Sequence, residues 1–103
     1  MYKLAFFVPE ESLEAVKQAL FATGAGRIGD YDSCCWQVLG QGQFRPLAGS
    51  DPHIGSQGVV EVLSEWRVEL VCSDELIMDA VAALKQAHPY EEVAYDVWRL
   101  EDI

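Results

Sequence analysis

The segment His88-Pro89-Tyr90-Glu91-Glu92 places an imidazole, a phenol and two carboxylates within five consecutive residues. Such groups can bind a divalent cation or form hydrogen bonds to a small ligand. The segment can also act only as the end of a helix, because Pro89 stops a helix and a charged histidine near a C-terminus is favoured by about 0.3–1 kcal/mol. A choice between the two depends on the elements that position the segment.

Composition limits the kind of protein that can carry this segment. The chain has 103 residues with a net charge of −10, from 17 acidic and 7 basic residues, and this length fits a single domain, residues 1–103. Without a basic cluster, we expect neither nucleic acid nor a membrane surface as a partner. No apolar run approaches the roughly 18 residues of a membrane span, and the N-terminus lacks a signal-peptide pattern. We therefore expect a cytoplasmic protein.

The order of strand and helix patterns predicts a βαββαβ arrangement. The predicted elements are strand 2–8, helix 10–23, strand 31–39, strand 59–73, helix 74–88 and strand 93–100. Ser73 or Asp74 is expected to cap the second helix. The third strand alternates apolar and polar residues, which predicts one buried face. That face is formed by Val60, Val62, Trp66, Val68, Leu70 and Cys72.

An internal repeat supports this arrangement. At an offset of 64 residues, Leu4 aligns with Val68, Leu20 with Leu84, and Tyr31-Asp32 with Tyr95-Asp96. Two strand–helix–strand units predict an α+β, ferredoxin-like fold: a four-stranded antiparallel sheet with both helices on one face. The first unit has Gly24-Ala25-Gly26-Arg27-Ile28 where the second has residues 88–92. A glycine-rich turn there implies that residues 88–92 are not needed merely to make the connection.

A long glycine-rich segment, residues 40–58, separates the two units. It contains five glycines and two prolines in nineteen residues, and a connection of this length is usually functional or mobile. Gly40, Gly42 and Phe44 are candidate ligand-binding residues in this segment. An arm that packs against another copy of the chain is the alternative interpretation.

The turn and the glycine-rich segment together resemble a known family. The stretches "GAGRIGDYDSCCW", "GQGQFRPLAGSDPHIGSQG", "VEVLSEWRVELV" and "AHPYEEVAYDVWRL" are similar to the inserted domain of the YqfO family, bacterial relatives of the NGG-interacting factor proteins. That insert is similar to CutA and PII proteins, which are ferredoxin-like and typically trimeric. The resemblance therefore implies the same fold and a homotrimer, with a homodimer as the alternative. It also implies that the dinuclear metal centre of the full-length family lies in two flanking domains, so we expect this chain to be the insert as a stand-alone protein.

These observations predict a non-enzymatic, oligomeric sensor or adaptor domain. Its candidate ligand-binding residues are His88, Tyr90, Glu91, Glu92, Gly40, Gly42 and Phe44. The ligand is open: a small molecule, a divalent metal ion or a partner protein. A metal site would use His88 and Glu91, completed by His53 if the glycine-rich segment folds back. A small metal-dependent enzyme or a copper or divalent-cation tolerance protein is the alternative function.

Overall fold

The computed structural model describes all residues, 1–103, and has the predicted βαββαβ order. A short 3₁₀ turn, Glu10–Ser12, precedes the first helix. The elements are β1 (Tyr2–Val8), α1 (Leu13–Ala22), β2 (Trp36–Phe44), β3 (Glu61–Cys72), α2 (Ile77–Ala87) and β4 (Tyr95–Arg99). None of the helices is long and apolar enough to cross a lipid bilayer.

The four strands form one antiparallel sheet in the order β2-β3-β1-β4. Alternate residues of β1 and β3 pack against the apolar stripes of both helices in a single core. Both helices therefore cover the same face of the sheet, which confirms the predicted ferredoxin-like fold. The buried core residues are Leu4, Phe6, Val8, Leu13, Val16, Leu20, Ala25, Val68, Leu70, Cys72, Ile77, Ala80 and Leu84.

Strand β2 begins and ends five residues later than the sequence pattern predicts. It spans Trp36–Phe44 instead of 31–39. Gly40, Gly42 and Phe44 therefore lie in a strand and not in the glycine-rich loop, which is shortened to residues 45–60. Glycine has low strand propensity, so its pairing with β3 had to come from tertiary contacts.

The outer half of the β2–β3 hairpin projects beyond the helices. Val68, Leu70 and Cys72 are buried as predicted, but Val62 is 48% exposed and Val60 is also exposed. The predicted buried face of β3 is therefore correct only for its second half. A hairpin longer than the two helices leaves its outer part uncovered, and the molecule is 46 Å along its longest axis.

The repeat is real in the first strand and helix of each unit but shifts after the helices. Ala5 pairs with Asp96, and Glu69, which lies 64 residues after Ala5, pairs with Trp36. Asp96 is therefore the counterpart of Trp36, an offset of 60 residues. The predicted match of Tyr31-Asp32 with Tyr95-Asp96 is wrong, because the first unit has extra residues between its helix and its second strand.

The predicted cap of α2 is also wrong. Leu76 occupies the N-cap position of α2, and no side chain caps the helix. The carboxylate of Asp74 instead pairs with Arg99, at 3.2 Å, and with the amino group of Met1. The Leu100 N–H donates to Met1 O at 3.0 Å, so the two ends of the chain lie side by side.

Candidate functional site

His88 connects the end of α2 to the end of β1. Its side chain is only 6% exposed, and its Nε2 lies 2.7 Å from Phe7 O. Its Nδ1 accepts a hydrogen bond from the Tyr90 N–H at 3.1 Å. Because Nδ1 is an acceptor, Nε2 carries the ring proton and donates it to the carbonyl. Both ring nitrogens are therefore occupied by backbone partners.

The electrostatics of His88 agree with this neutral ring. Burial lowers the pKa of His88 below its ordinary value of 6.5, although the hydrogen bond to Phe7 O and the nearby Glu65 act in the opposite direction. A buried imidazolium would lose hydration and would also have to give up the Tyr90 N–H, because a charged ring has no acceptor. His88 is therefore a neutral structural residue that sets the conformation of the turn.

Tyr90 is the residue of the turn that reaches the β2–β3 hairpin. Its hydroxyl donates to Glu65 Oε2 at 3.1 Å, and burial together with Glu65 raises the pKa of Tyr90. Its ring lies edge-on to His88 at 4.7 Å between centroids, and 6.3 Å from the ring of Phe44. Tyr90 therefore stays protonated and joins the turn after α2 to both strands of the hairpin.

Gly42 makes room for the carboxylate that Tyr90 binds. A Cβ atom on Gly42 would overlap the carboxylate of Glu65. Gly40, directly opposite Glu65 in the register, lies on the same face of the sheet as Gly42. The two glycines thus form a floor without side chains, flanked on β2 by Val38 and Phe44.

The glycine-rich loop folds back over this floor. Its neck is closed by a hydrogen bond from the Gly58 N–H to Pro46 O at 2.7 Å. Glu91 holds the loop near its middle, because Glu91 Oε1 accepts the Asp51 N–H at 3.0 Å. The ring of His53 lies 6.2 Å from that of Tyr90. The predicted approach of His53 to the turn therefore takes place.

Loop, turn and hairpin together enclose a cleft of about 750 Å³, within the range typical of small-molecule sites. Six of the seven predicted ligand-binding residues line it; His88 stands behind Tyr90. The lining six are Gly40, Gly42, Phe44, Tyr90, Glu91 and Glu92. The lining also contains Phe7, Glu65 and Arg67, which the sequence reading did not select. Their place on the face that the helices leave open is visible in the alternation of β1 and β3 once the pairing of β2 is known.

The geometry does not support the predicted metal site of His88, Glu91 and His53. Nowhere in the chain do three or more His, Cys, Asp or Glu side chains form a group that could hold a metal ion. His88 has no free ring nitrogen, and Glu91 is engaged with the Asp51 N–H. His53 contacts Tyr90 through its ring and completes no ligand set.

The hydrogen bonds of the cleft contain no nucleophile paired with a base. The Ser50 hydroxyl, which lines the cleft, donates to Leu47 O at 2.6 Å. Of the three free cysteines, none lines the cleft. Nucleophilic catalysis requires a hydroxyl or thiol within reach of a histidine or another base, so the arrangement is one of binding groups.

Comparison with known proteins places the whole chain in one part of longer relatives. No family model matches the chain. Proteins named GTP cyclohydrolase 1 type 2 homolog are 48% identical over 98 residues in Mycobacterium tuberculosis and 43% identical over 99 residues in Bacillus subtilis. These matches cover 95% and 96% of the chain but only 26% of each relative. The chain spans about a quarter of the length of these relatives.

Solved structures give the same result for the fold. A Bacillus cereus protein related to NIF3 matches with a TM-score of 0.85 and 39% identity, over 98% of this chain and 26% of that one. CutA1 from Pyrococcus horikoshii matches with a TM-score of 0.72 and 18% identity, over 100% of this chain and 86% of that one. The CutA match shows the fold alone. The chain therefore has a CutA-like fold and is homologous to one segment of the GTP cyclohydrolase 1 type 2 homologs of the NIF3/YqfO family.

Proposed function

We propose that this chain is a non-catalytic sensor or adaptor domain that binds a small molecule in the cleft between the loop, the turn and the β2–β3 hairpin. The cleft itself carries the proposal. It has a floor of Gly40 and Gly42, aromatic walls, and a few polar groups that can orient a ligand. Binding sites of this kind combine a mostly apolar lining with a small number of fixed hydrogen-bonding groups.

The construction of the cleft supports this function. The loop is held over the floor by Glu91, and the turn is held against the hairpin by Tyr90. Both contacts join segments distant in the sequence, so an occupant between them would alter two parts of the surface at once. A domain without catalytic groups can transmit binding in this way.

Nuclear magnetic resonance with benzamide, a small planar and uncharged probe, tests the proposal. We expect millimolar benzamide to shift the backbone amide signals of Gly40, Gly42 and Tyr90. The signals of Gly29 and Asp30, in the exposed turn on the other side of the sheet plane, should not move. Shifts spread evenly over the surface, or none at all, would contradict a ligand site in the cleft.

Self-association is the second part of the proposed function. Trp36 and Trp98, on the face of the sheet that the helices leave open, are 59% and 44% exposed. The edge strand β2 contains no charged residue and no proline over nine residues, although natural edge strands are usually protected by such residues. A second copy of the chain would cover these groups, and the resemblance to CutA and PII favours a trimer over a dimer.

Sedimentation velocity tests the assembly. Trp36→Glu and Trp98→Glu each place a charge on the open face, and we expect both to reduce the subunit count. Met78→Glu is the matched control, because Met78 is 79% exposed on α2. A wild-type monomer at micromolar concentration, or equal effects of all three changes, would contradict this assignment.

Metal-dependent catalysis and divalent-cation tolerance form the alternative function. One structural neighbour is named the periplasmic divalent cation tolerance protein CutA, from Archaeoglobus fulgidus, but it shares 15% identity with this chain. The occupied nitrogens of His88 favour the binding domain. A rise in melting temperature with zinc or copper that is lost in Glu91→Gln would reverse this preference.

A further inference from the structure

We propose that the cleft selects a flat aromatic ring carrying a positively charged group with paired N–H donors, such as an amidinium or an amino-substituted heterocycle. This inference rests on the proposed function of the cleft and names the chemical class of its ligand. It follows from the shape of the floor, the position of one carboxylate and the balance of charge around the opening.

The floor accepts a flat group. On the open face of β2, Gly40 and Gly42 contribute no side chains, whereas Val38 and Phe44 stand on either side of them. A ring lying on the exposed backbone of the two glycines would have the aromatic ring of Phe44 at one end. Aromatic rings are also favourable surfaces for planar cations.

Glu65 supplies the specific contact. The Tyr90 hydroxyl binds Oε2, and the carboxylate lies in the space that Gly42 leaves empty. No lysine or arginine forms an ion pair with Glu65; the neighbouring Arg67 pairs instead with Glu69 at 3.4 Å. A carboxylate at an apolar floor without a cationic partner is complementary to two parallel N–H donors, as in the paired bonds of a guanidinium with a carboxylate.

The charge of the cleft favours the same class of ligand. Three carboxylates line it, from Glu65, Glu91 and Glu92, against the two guanidinium groups of Arg45 and Arg67. The chain as a whole has a net charge of −10. A polyphosphate or a carboxylate ligand would therefore enter against the local and the overall field.

Three probes of one size test the class: benzamidine, benzamide and benzoate, which carry a positive, a neutral and a negative group on the same ring. We expect benzamidine to bind about tenfold more tightly than benzoate, as measured by titration of the Gly40 and Gly42 amide signals, because its bonds to Glu65 are charge-assisted. Benzamide should lie between the two.

Matched variants locate the contact. Glu65→Gln keeps an acceptor for Tyr90 and should weaken benzamidine about tenfold while leaving benzamide nearly unchanged. Gly40→Ala adds a methyl group with only Glu65 O nearby, at 3.9 Å, and should weaken all three probes without loss of fold. Asp79→Asn, the same loss of charge on an exposed residue of α2, should have no effect.

The outcomes separate the two proposals. Benzoate binding as tightly as benzamidine, or an unchanged benzamidine affinity in Glu65→Gln, would overturn the ligand class and leave the cleft as a binding site. If none of the three probes shifts the cleft signals, the proposed binding function fails and this inference fails with it.

Discussion

The turns that follow the two helices solve the same problem with different chemistry. The central strands β1 and β3 both run past the end of the edge strand beside them, so that Phe7 and Val71 each have a carbonyl outside the ladder. These residues are counterparts, 64 positions apart. After α1, the Gly26 N–H binds Val71 O at 2.8 Å. After α2, the side chain of His88 binds Phe7 O.

The difference lies in which part of the chain reaches the carbonyl. The first turn has thirteen residues, 23–35, and its glycines bring backbone to backbone; the second has only seven, 88–94. Because Pro89 holds His88 in an extended conformation, a side chain reaches the carbonyl and the following residues are turned outward. A side-chain bond thus frees Tyr90 and Glu91 to contact the hairpin and the loop. The turn with a structural histidine is the one that builds a site.

His88→Ala should cause the largest loss of stability. It leaves Phe7 O and the Tyr90 N–H without partners and opens a cavity, for an expected cost of about 3 kcal/mol in the free energy of unfolding measured with urea. His53→Ala, an exposed histidine in the loop, should cost less than about 0.5 kcal/mol. Equal effects would show that the two turns do not depend on different groups.

Gly26→Ala should disturb the first turn by a smaller amount. Gly26 has a φ of +79°, and an added Cβ would lie 2.8 Å from Cys34 O. We expect a loss of about 2 kcal/mol, of which roughly 1 kcal/mol is the strained backbone conformation. Gly29→Ala, with a φ of +58° and no neighbour within 4 Å, should show only the backbone part. Identical melting temperatures for the two variants would argue against the close approach.

The second turn should also give stability a dependence on pH that the first turn lacks. Because the pKa of His88 is lowered in the folded state, the unfolded chain binds this proton first. The contribution of His88 is therefore complete above pH 6.5 and is lost as the pH falls below that value toward the folded pKa. Urea denaturation at pH 7 and pH 5 should show a smaller decrease for His88→Gln than for the wild type. An unchanged decrease would assign the dependence to other groups.

Glu91→Gln should have the smallest effect on stability, about 0.5 kcal/mol or less, because the side chain is exposed. It should instead speed hydrogen exchange at the Asp51 amide, which Glu91 holds at 3.0 Å. Glu92→Gln, a neighbouring exposed carboxylate, should leave this exchange rate unchanged. Faster exchange in both variants would mean that general charge, and not this contact, holds the loop.

Several features could be predicted from local sequence. The apolar stripes of α1 and α2 and the alternation of β1 and β3 specify which faces are buried, because side chains repeat every 3.6 residues in a helix and every two in a strand. Their order along the chain then gave the antiparallel sheet with both helices on one face. The candidate turn was also found from sequence, since few other arrangements explain an imidazole, a phenol and two carboxylates after a helix.

Long-range pairing decided the rest. Gly40 and Gly42 have no propensity that places them in a strand, and only their pairing with Glu65 and Leu63 puts them under the cleft. The role of His88 depends on Phe7 O, a group 81 residues away, and no local pattern reports an unpaired carbonyl. The sequence by itself therefore determined the elements and the location of the turn. Tertiary structure alone decided that His88 is a structural residue and that Glu65 is the carboxylate of the cleft, because both depend on contacts between distant segments.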